Sequence, residues 1–390
     1  MLVFASERDP KLFDNRLTMK FNVSSNDLNA GLSAVIGAVP TKATLPILET
    51  ILFESENGRL KMTATDLEIS IIEYIDADIE EEGAVAIPAK RLLETLRQLP
   101  NIPVFFEVDE NQNVEFKTDK GKYKLVGEEA DEFPEIPDME RGVTLSTDTD
   151  LLQNAIGKTK FAVSTDDLRP AMMGVFFDIG AEDSKFVATD GHRLVKFVNK
   201  NFTADEPLSF IVPDKALNLV SKALDAPDCD LTVSEEHAQF NSGSTIVITR
   251  LINEQYPNYD SVIPRDNDKV LMADKNQMLS TVRRVSVFSS TTTRQIRLML
   301  QKDKLTIRAE DLDMSSEAKE TISCEFDGEE MEIGFNAKYL ADVLSNVDGD
   351  EARIEFSTPN RAGIVKPANE DEGEEMLMLV MPVMLNSYGS

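Results

Sequence analysis

The sequence predicts an α+β protein of three tandem homologous domains, each with two helices packed on antiparallel sheets, and three observations carry that expectation. First, LKMTATDLEIS (60–70), FVATDGHRLV (186–195) and LTIRAEDLDMSS (305–316) resemble one another, and aligning Asp66, Asp190 and Asp311 gives spacings of 124 and 121 residues. Second, a helix-like block follows each: VAIPAKRLLETL (85–96), FIVPDKALNLV (210–220) and IGFNAKYLADVL (333–344). Third, each unit opens on one further block (26–39, 149–163, 276–288) and closes on another (131–137, 254–264, 379–385). Four blocks in one order, three times at a near-constant period, are the mark of a triplicated unit.

Within the first unit, KFNV (20–23) alternates as a strand does, and SSNDLNAGL offers Ser or Asn as the N-cap of a helix. TILFES, GRLKMTA and EISIIEYIDA alternate or carry β-branched residues and read as strands. In PAKRLLETLRQLP one proline opens a helix at its first turn and another ends it. Leu92, Leu93, Leu96 and Leu99 then fall on one arc, with Lys90, Glu94 and Gln98 opposite. VFFEVDE, NVEFKT and KYKLVGE complete the unit as a meander. Applied to all three copies, this places helices at 26–37, 88–99, 151–160, 213–224, 275–287 and 336–347. EIPDMERG (135–142) and SVIPRDNDK (261–269) continue no apolar period, so the domains are set at 19–142, 143–265 and 266–385. Residues 1–18 are expected to be a disordered extension and 386–390 a mobile Gly-Ser tail.

Composition narrows the function. No apolar run reaches the roughly 18–20 residues that span a bilayer, and the opening MLVFASERDPKLFDNRLT lacks the basic start of a signal peptide. Cys229 and Cys324 lie far apart with no CxxC spacing, which argues against a disulfide framework or a zinc site and suits a reducing cytoplasm, with both thiols expected buried. No cofactor or metal is expected. The net charge of −30 argues by itself against nucleic acid. The positive charges, however, are segregated. The six helix spans carry eleven basic residues against four acidic ones, while the rest of the chain holds 29 basic against 66 acidic. The basic set is Lys90, Arg91, Arg97, Lys158, Lys160, Lys215, Lys222, Lys275, Arg283, Arg284 and Lys338. A shared helical face of this kind suits phosphates read without regard to sequence, and duplex more than single strands, since no aromatic platforms accompany it. Ordinary Lys/Arg-bearing surface faces explain the same charges equally simply.

Asp190-Gly191-His192-Arg193 presents the groups of a general base oriented by a carboxylate. No GxSxG elbow, HExxH or Gly-rich phosphate loop accompanies it, and the only other histidine is His237. The first and third copies keep the aspartate but carry Leu67-Glu68-Ile69 and Leu312-Asp313-Met314. The aspartate therefore reads as the organiser of a strand-end turn, and the second copy has acquired something of its own.

Jointly, TLPIL (44–48), ATDGHRL (188–194), EIGFN (332–336) and VMP (380–382) resemble the bacterial sliding clamps, the beta subunits of DNA polymerase III, from Met19 to Leu385. The resemblance implies a non-catalytic processivity factor: a head-to-tail homodimer of six domains closed around duplex DNA, its helices lining the hole. It implies an apolar pocket between domains two and three that receives short peptides of the replicative polymerase, clamp loader and repair proteins. By matching position the pocket would comprise Met172, Thr189, Gly191, His192, Arg193, Leu194, Pro257, Val262, Val380, Met381, Pro382, Val383, Met384 and Leu385, with Asn336 and Tyr339 at its edge. Lys42 and Arg169 would face DNA beside the helical set, and Tyr123, Val287 and Phe288 would close the dimer. Pro170-Ala171 stands where that family has an aromatic pair, Met384 and Ser261 where it often has arginine. A DNA-binding protein that does not encircle, and an acidic scaffold that binds only proteins, stand as the alternatives.

Overall fold

The computed structural model describes residues 18–139 and 141–385; the expected extension, apart from Thr18, and the expected tail lie outside the described residues. Each repeat runs strand, helix, strands, helix and a closing meander. The α-helices of the described residues are α1 (Ser25–Val35), α2 (Ala89–Leu96), α3 (Thr149–Thr159), α4 (Asp214–Ala223), α5 (Lys275–Ser286) and α6 (Ala337–Ser345). Three begin on a capping side chain: Ser24 accepts from the Asp27 amide at 3.1 Å, Asp274 from Gln277 at 2.6 Å and Asn336 from Lys338 at 3.0 Å. The expected start of α2 needs correction. Pro88 ends the Ala84–Pro88 strand and precedes the helix, because its ψ of 110° is extended. The helix also stops at Leu96, short of the expected end at Leu99.

The apolar stripes are buried as their spacing requires. Leu92, Leu93 and Leu96 of α2, Leu217 and Val220 of α4, Val282 and Val285 of α5, and Leu340, Val343 and Leu344 of α6 all face the core. Each such side chain contributes about 1.5–3 kcal/mol of burial. Cys229 is buried and its thiol is pushed up to about 12 by desolvation, whereas Cys324, expected buried too, is half-exposed just after the Ser316–Ser323 strand.

The chain forms two compact units, and the second domain is shared between them. In the unit holding the first domain and residues 215–251, an eight-stranded antiparallel sheet takes four strands from each of two domains. They join where Ile69–Asp76 pairs with Thr245–Arg250, Ser70 opposite Ile248. In the other unit a nine-stranded sheet joins the second and third domains where Arg193–Asn199 pairs with Glu374–Val380, Leu194 opposite Leu379. Both seams use the strand that leaves the Asp turn of one domain and the last strand of the next domain's meander. Among the described residues the third such pair is not made. Ser316–Ser323 and Lys122–Val126 each lie at the edge of a five-stranded sheet. A ladder of stacked rings, Phe21, Phe106, Phe116 and Tyr123, crosses the first domain's sheet at centroid spacings of 4.8, 5.1 and 4.8 Å and ends on the Lys122–Val126 edge.

Candidate functional site: the groove at the second seam

The site grows out of the repeated turn. In each copy one aspartate oxygen accepts two backbone amides: Asp66 from Glu68 and Ile69 (3.0 and 2.7 Å), Asp190 from His192 and Arg193 (2.9 and 3.0 Å), Asp311 from Asp313 and Met314 (3.0 and 3.2 Å). The carboxylate is a structural acceptor, as its presence in all three copies implies. In the first two copies a threonine adds to the turn, Thr65 accepting from Leu67 and Thr189 from Gly191, both at 3.1 Å. The residue after the aspartate then takes a positive φ, +78° at Leu67 and +86° at Gly191.

The second aspartate oxygen differs between copies. Asp66 ion-pairs with Lys215 at the surface. Asp190 instead accepts from Arg193 Nε at 3.2 Å, and Arg193 reaches on to Asp342 of α6. The guanidinium, on a residue only 7% exposed, also lies 5.1 Å from the Tyr339 ring and 5.5 Å from Phe161. The exposed imidazole of His192 stacks on Tyr339 at 5.4 Å, and its backbone carbonyl accepts from Met381 at 2.8 Å. Asp190 therefore orders backbone and arginine, and does not orient the imidazole. A general-base arrangement is not built here.

Above the turn lies a groove of about 610 Å³. Its floor is the buried cluster of Leu194, Leu379, Val187 and Ala362, with Phe176, Tyr256, Tyr259 and Ile263 packed against it. Burial pushes the Tyr259 hydroxyl up to about 12. Of the residues matched to the pocket, Met172, Thr189, Gly191, Arg193, Leu194, Pro257, Val262 and Met381 line it.

The rest of that set lies around the groove rather than in its lining. Val380 is buried in the ladder opposite Arg193 and Gly363, since alternation turns Leu379 rather than Val380 to the groove. Pro382 and Val383 pair with Phe335 and Gly334, and Leu385 packs on Gly334, while Met384 is exposed. These four run beside the Met331–Asn336 strand, outside the groove. His192 stands on the turn, Asn336 caps α6 and Tyr339 lies on its first turn, next to the groove lining. Missed from the sequence were Leu379, Tyr259, Ile263, Arg265, Asn360 and Arg361. Strict alternation in LMLVMPVML could have identified Leu379; Arg265 was taken for linker.

At this point comparison with known proteins is decisive. Residues 19–137, 146–258 and 260–383 match, respectively, the N-terminal, central and C-terminal domains of the DNA polymerase III beta subunit. A beta sliding clamp of Vibrio cholerae is 30% identical over 371 residues, spanning 94% of this chain and 100% of the relative.

The chain belongs to the DNA polymerase III beta subunit, or sliding clamp, family.

Another family member, from Synechococcus elongatus, is 30% identical over 379 residues, 95% of this chain and 100% of its own. The crystal structure of the Pseudomonas aeruginosa beta subunit is 28% identical with a TM-score of 0.90, covering 94% of this chain and 100% of that one. The Bacillus subtilis clamp is 27% identical with a TM-score of 0.89, covering 94% and 99%.

The basic residues are less uniform than their segregation suggested. Lys42, Arg91, Arg97, Lys222 and Lys338 are exposed. Lys90 is exposed and donates to the Thr41 carbonyl at 2.9 Å, and Arg283 donates to Ser345 Oγ at 3.1 Å. Several others are engaged internally. Lys158 pairs with Asp348, Lys275 donates to the Val347 carbonyl at 3.1 Å, Arg284 pairs with Glu320 at 2.6 Å and Arg169 with Asp166 at 2.9 Å. Lys160 is half-buried. Lys158 and Lys275 are thus half-buried groups with internal partners. Of the three residues assigned to dimer closure, Val287 and Phe288 are exposed and Tyr123 sits on its sheet edge.

Proposed function

We propose that this chain acts as a non-catalytic tether: two copies close head to tail around duplex DNA and hold the replicative polymerase through peptides seated in the groove at the second seam. The observation that carries ring closure is the unmade third seam. Two seams within the chain follow one pairing rule, and the two strands left over obey it only between copies.

The repeat also specifies a register. Ser70 and Leu194 occupy equivalent hairpin positions opposite Thr65 and Thr189, and Glu317 holds that position opposite Glu310. Their seam partners Ile248 and Leu379 correspond to Lys124 on the other edge. Closure therefore sets Lys124 opposite Glu317 and Tyr123 opposite Ala318 of the second copy. Lys122 falls opposite Lys319, with Glu115, 2.5 Å from Lys122, to offset the like charges. Opposite charges across a ladder are each worth about 0.2–1 kcal/mol, and the edge backbone groups left unpaired without closure add to the drive.

Around the DNA the exposed cations of the helices meet phosphates with no base readout, so contact weakens steeply with salt. Retention then depends on closure of the ring rather than on tight binding, which is how a protein at −30 keeps hold of a polyanion. Loader and repair proteins would share the groove, whose Met172 and Met381 repack around different side chains. The protein would work in the cytoplasm.

Sedimentation of the full chain tests closure. Lys124→Glu should raise the dimer dissociation constant several-fold, and Lys124→Glu combined with Glu317→Lys should recover it. An unchanged dimer in the single variant would contradict the register.

A further inference from the structure

The groove is not uniformly apolar, and its polar end suggests what its ligands carry. Leu194, Val262 and Met381 line it together with three arginines, Arg193, Arg265 and Arg361, of which Arg193 is held by Asp190 and Asp342. Arg361 forms an ion pair with Asp266 and is neutralised by it. Arg265 is exposed and makes no ion pair among the described residues. It also borders a second, polar cavity of about 460 Å³ that holds Glu370 and Glu375, and there Lys196 is already paired with Asp260 at 2.9 Å.

We propose that the groove selects peptides in which an acidic residue flanks the apolar anchors, with Arg265 as the residue that reads it. This rests on the groove being the peptide site. The argument is one of charge complementarity. Seventy acidic residues against forty basic ones repel an acidic ligand from most of the surface. A cation without a partner at the rim of an apolar groove is where that repulsion is locally reversed. The carboxylate takes its place at the groove end, where Arg265 stands. A guanidinium fork suits a carboxylate, since it stays charged and can donate two parallel hydrogen bonds to it. The attraction lies at a solvated rim and so is modest and sensitive to salt.

The test uses the full-length protein and fluorescently labelled, amidated peptides. One carries Leu and Phe anchors alone, and the others extend it by Asp-Asp at the amino or the carboxyl end. One of the two extensions should tighten binding about three- to fivefold at low salt, the range expected of a rim ion pair. That gain should shrink at high salt, and Arg265→Gln should bring the ratio of extended to plain affinity close to one. If both extended peptides bind no better than the plain one, the acidic preference is overturned while the groove remains the peptide site. A gain that persists in Arg265→Gln overturns the role of Arg265. If no peptide binds at all, the reading of the groove fails and takes this proposal with it.

Discussion

The turns at Asp66 and Asp190 share a backbone and differ in the cation that each carboxylate meets. Each aspartate accepts the two amides that follow, each threonine closes the loop, and each exiting strand joins the meander of the next domain. At the first seam the spare carboxylate oxygen meets an exposed lysine. At the second it meets a buried arginine that links the turn to α6 and lines the groove. What the copies share serves the fold; what the second copy changed serves ligands. The same comparison explains why Asp190 orders the turn and the arginine and does not orient the histidine beside it.

The comparison breaks first at the cations. Arg193→Ala leaves Asp190 and Asp342 facing one another without their cation and should destabilise the protein by about 2–4 kcal/mol. Lys215→Ala removes an exposed lysine and leaves Asp66 its two amide donors, and should cost about 0–1 kcal/mol. Urea unfolding of the two variants side by side checks this, and equal costs would erase the distinction between the seams.

A smaller effect belongs to the turn itself. Asp66→Ala and Asp190→Ala each leave two amides without their acceptor, and each should cost about 1–3 kcal/mol. Peptide affinity should fall only in Asp190→Ala, because only that turn lines the groove. Thermal unfolding paired with peptide titration separates the shared role from the acquired one.

The smallest effects concern one backbone angle. Gly191→Ala places a Cβ at φ +86°, 2.7 Å from Arg169 Nη1, and should cost about 1–2 kcal/mol. Leu67→Gly relieves the same angle in the first copy, at φ +78°, and should be neutral or stabilising by up to about 1 kcal/mol. Opposite signs in chemical denaturation would confirm that one turn geometry underlies both.

Much of this was legible in the sequence because repetition multiplies weak signals. Three aligned aspartates, three helix-opening blocks and three meanders define the unit even though no single match does. The leucine arc of α2 and the apolar face of α4 followed from a period of 3.6 residues. Other features needed coordinates. Leu67 at positive φ breaks a steric preference that a sequence gives no reason to suspect. Pro88 could equally open a helix or end a strand, and only its ψ decides. The groove is built from five separated segments, and Arg265 and Arg361 enter it through connections that carry no period. Positions 382–385 were reached through family likeness alone, and the pairing of Pro382 and Val383 with the Met331–Asn336 strand is visible only in the fold. Segregated charge was likewise only half a guide, since Lys158, Lys275 and Arg284 find internal partners.

The central claim is that retention on DNA is topological. The most direct measurement loads the protein onto a nicked circular plasmid, separates bound from free protein by gel filtration, then linearises the DNA and filters again. The account predicts retention on the circle and loss from the linear ends. Equal retention on both forms would mean that the helical cations bind the duplex directly, and would contradict the ring.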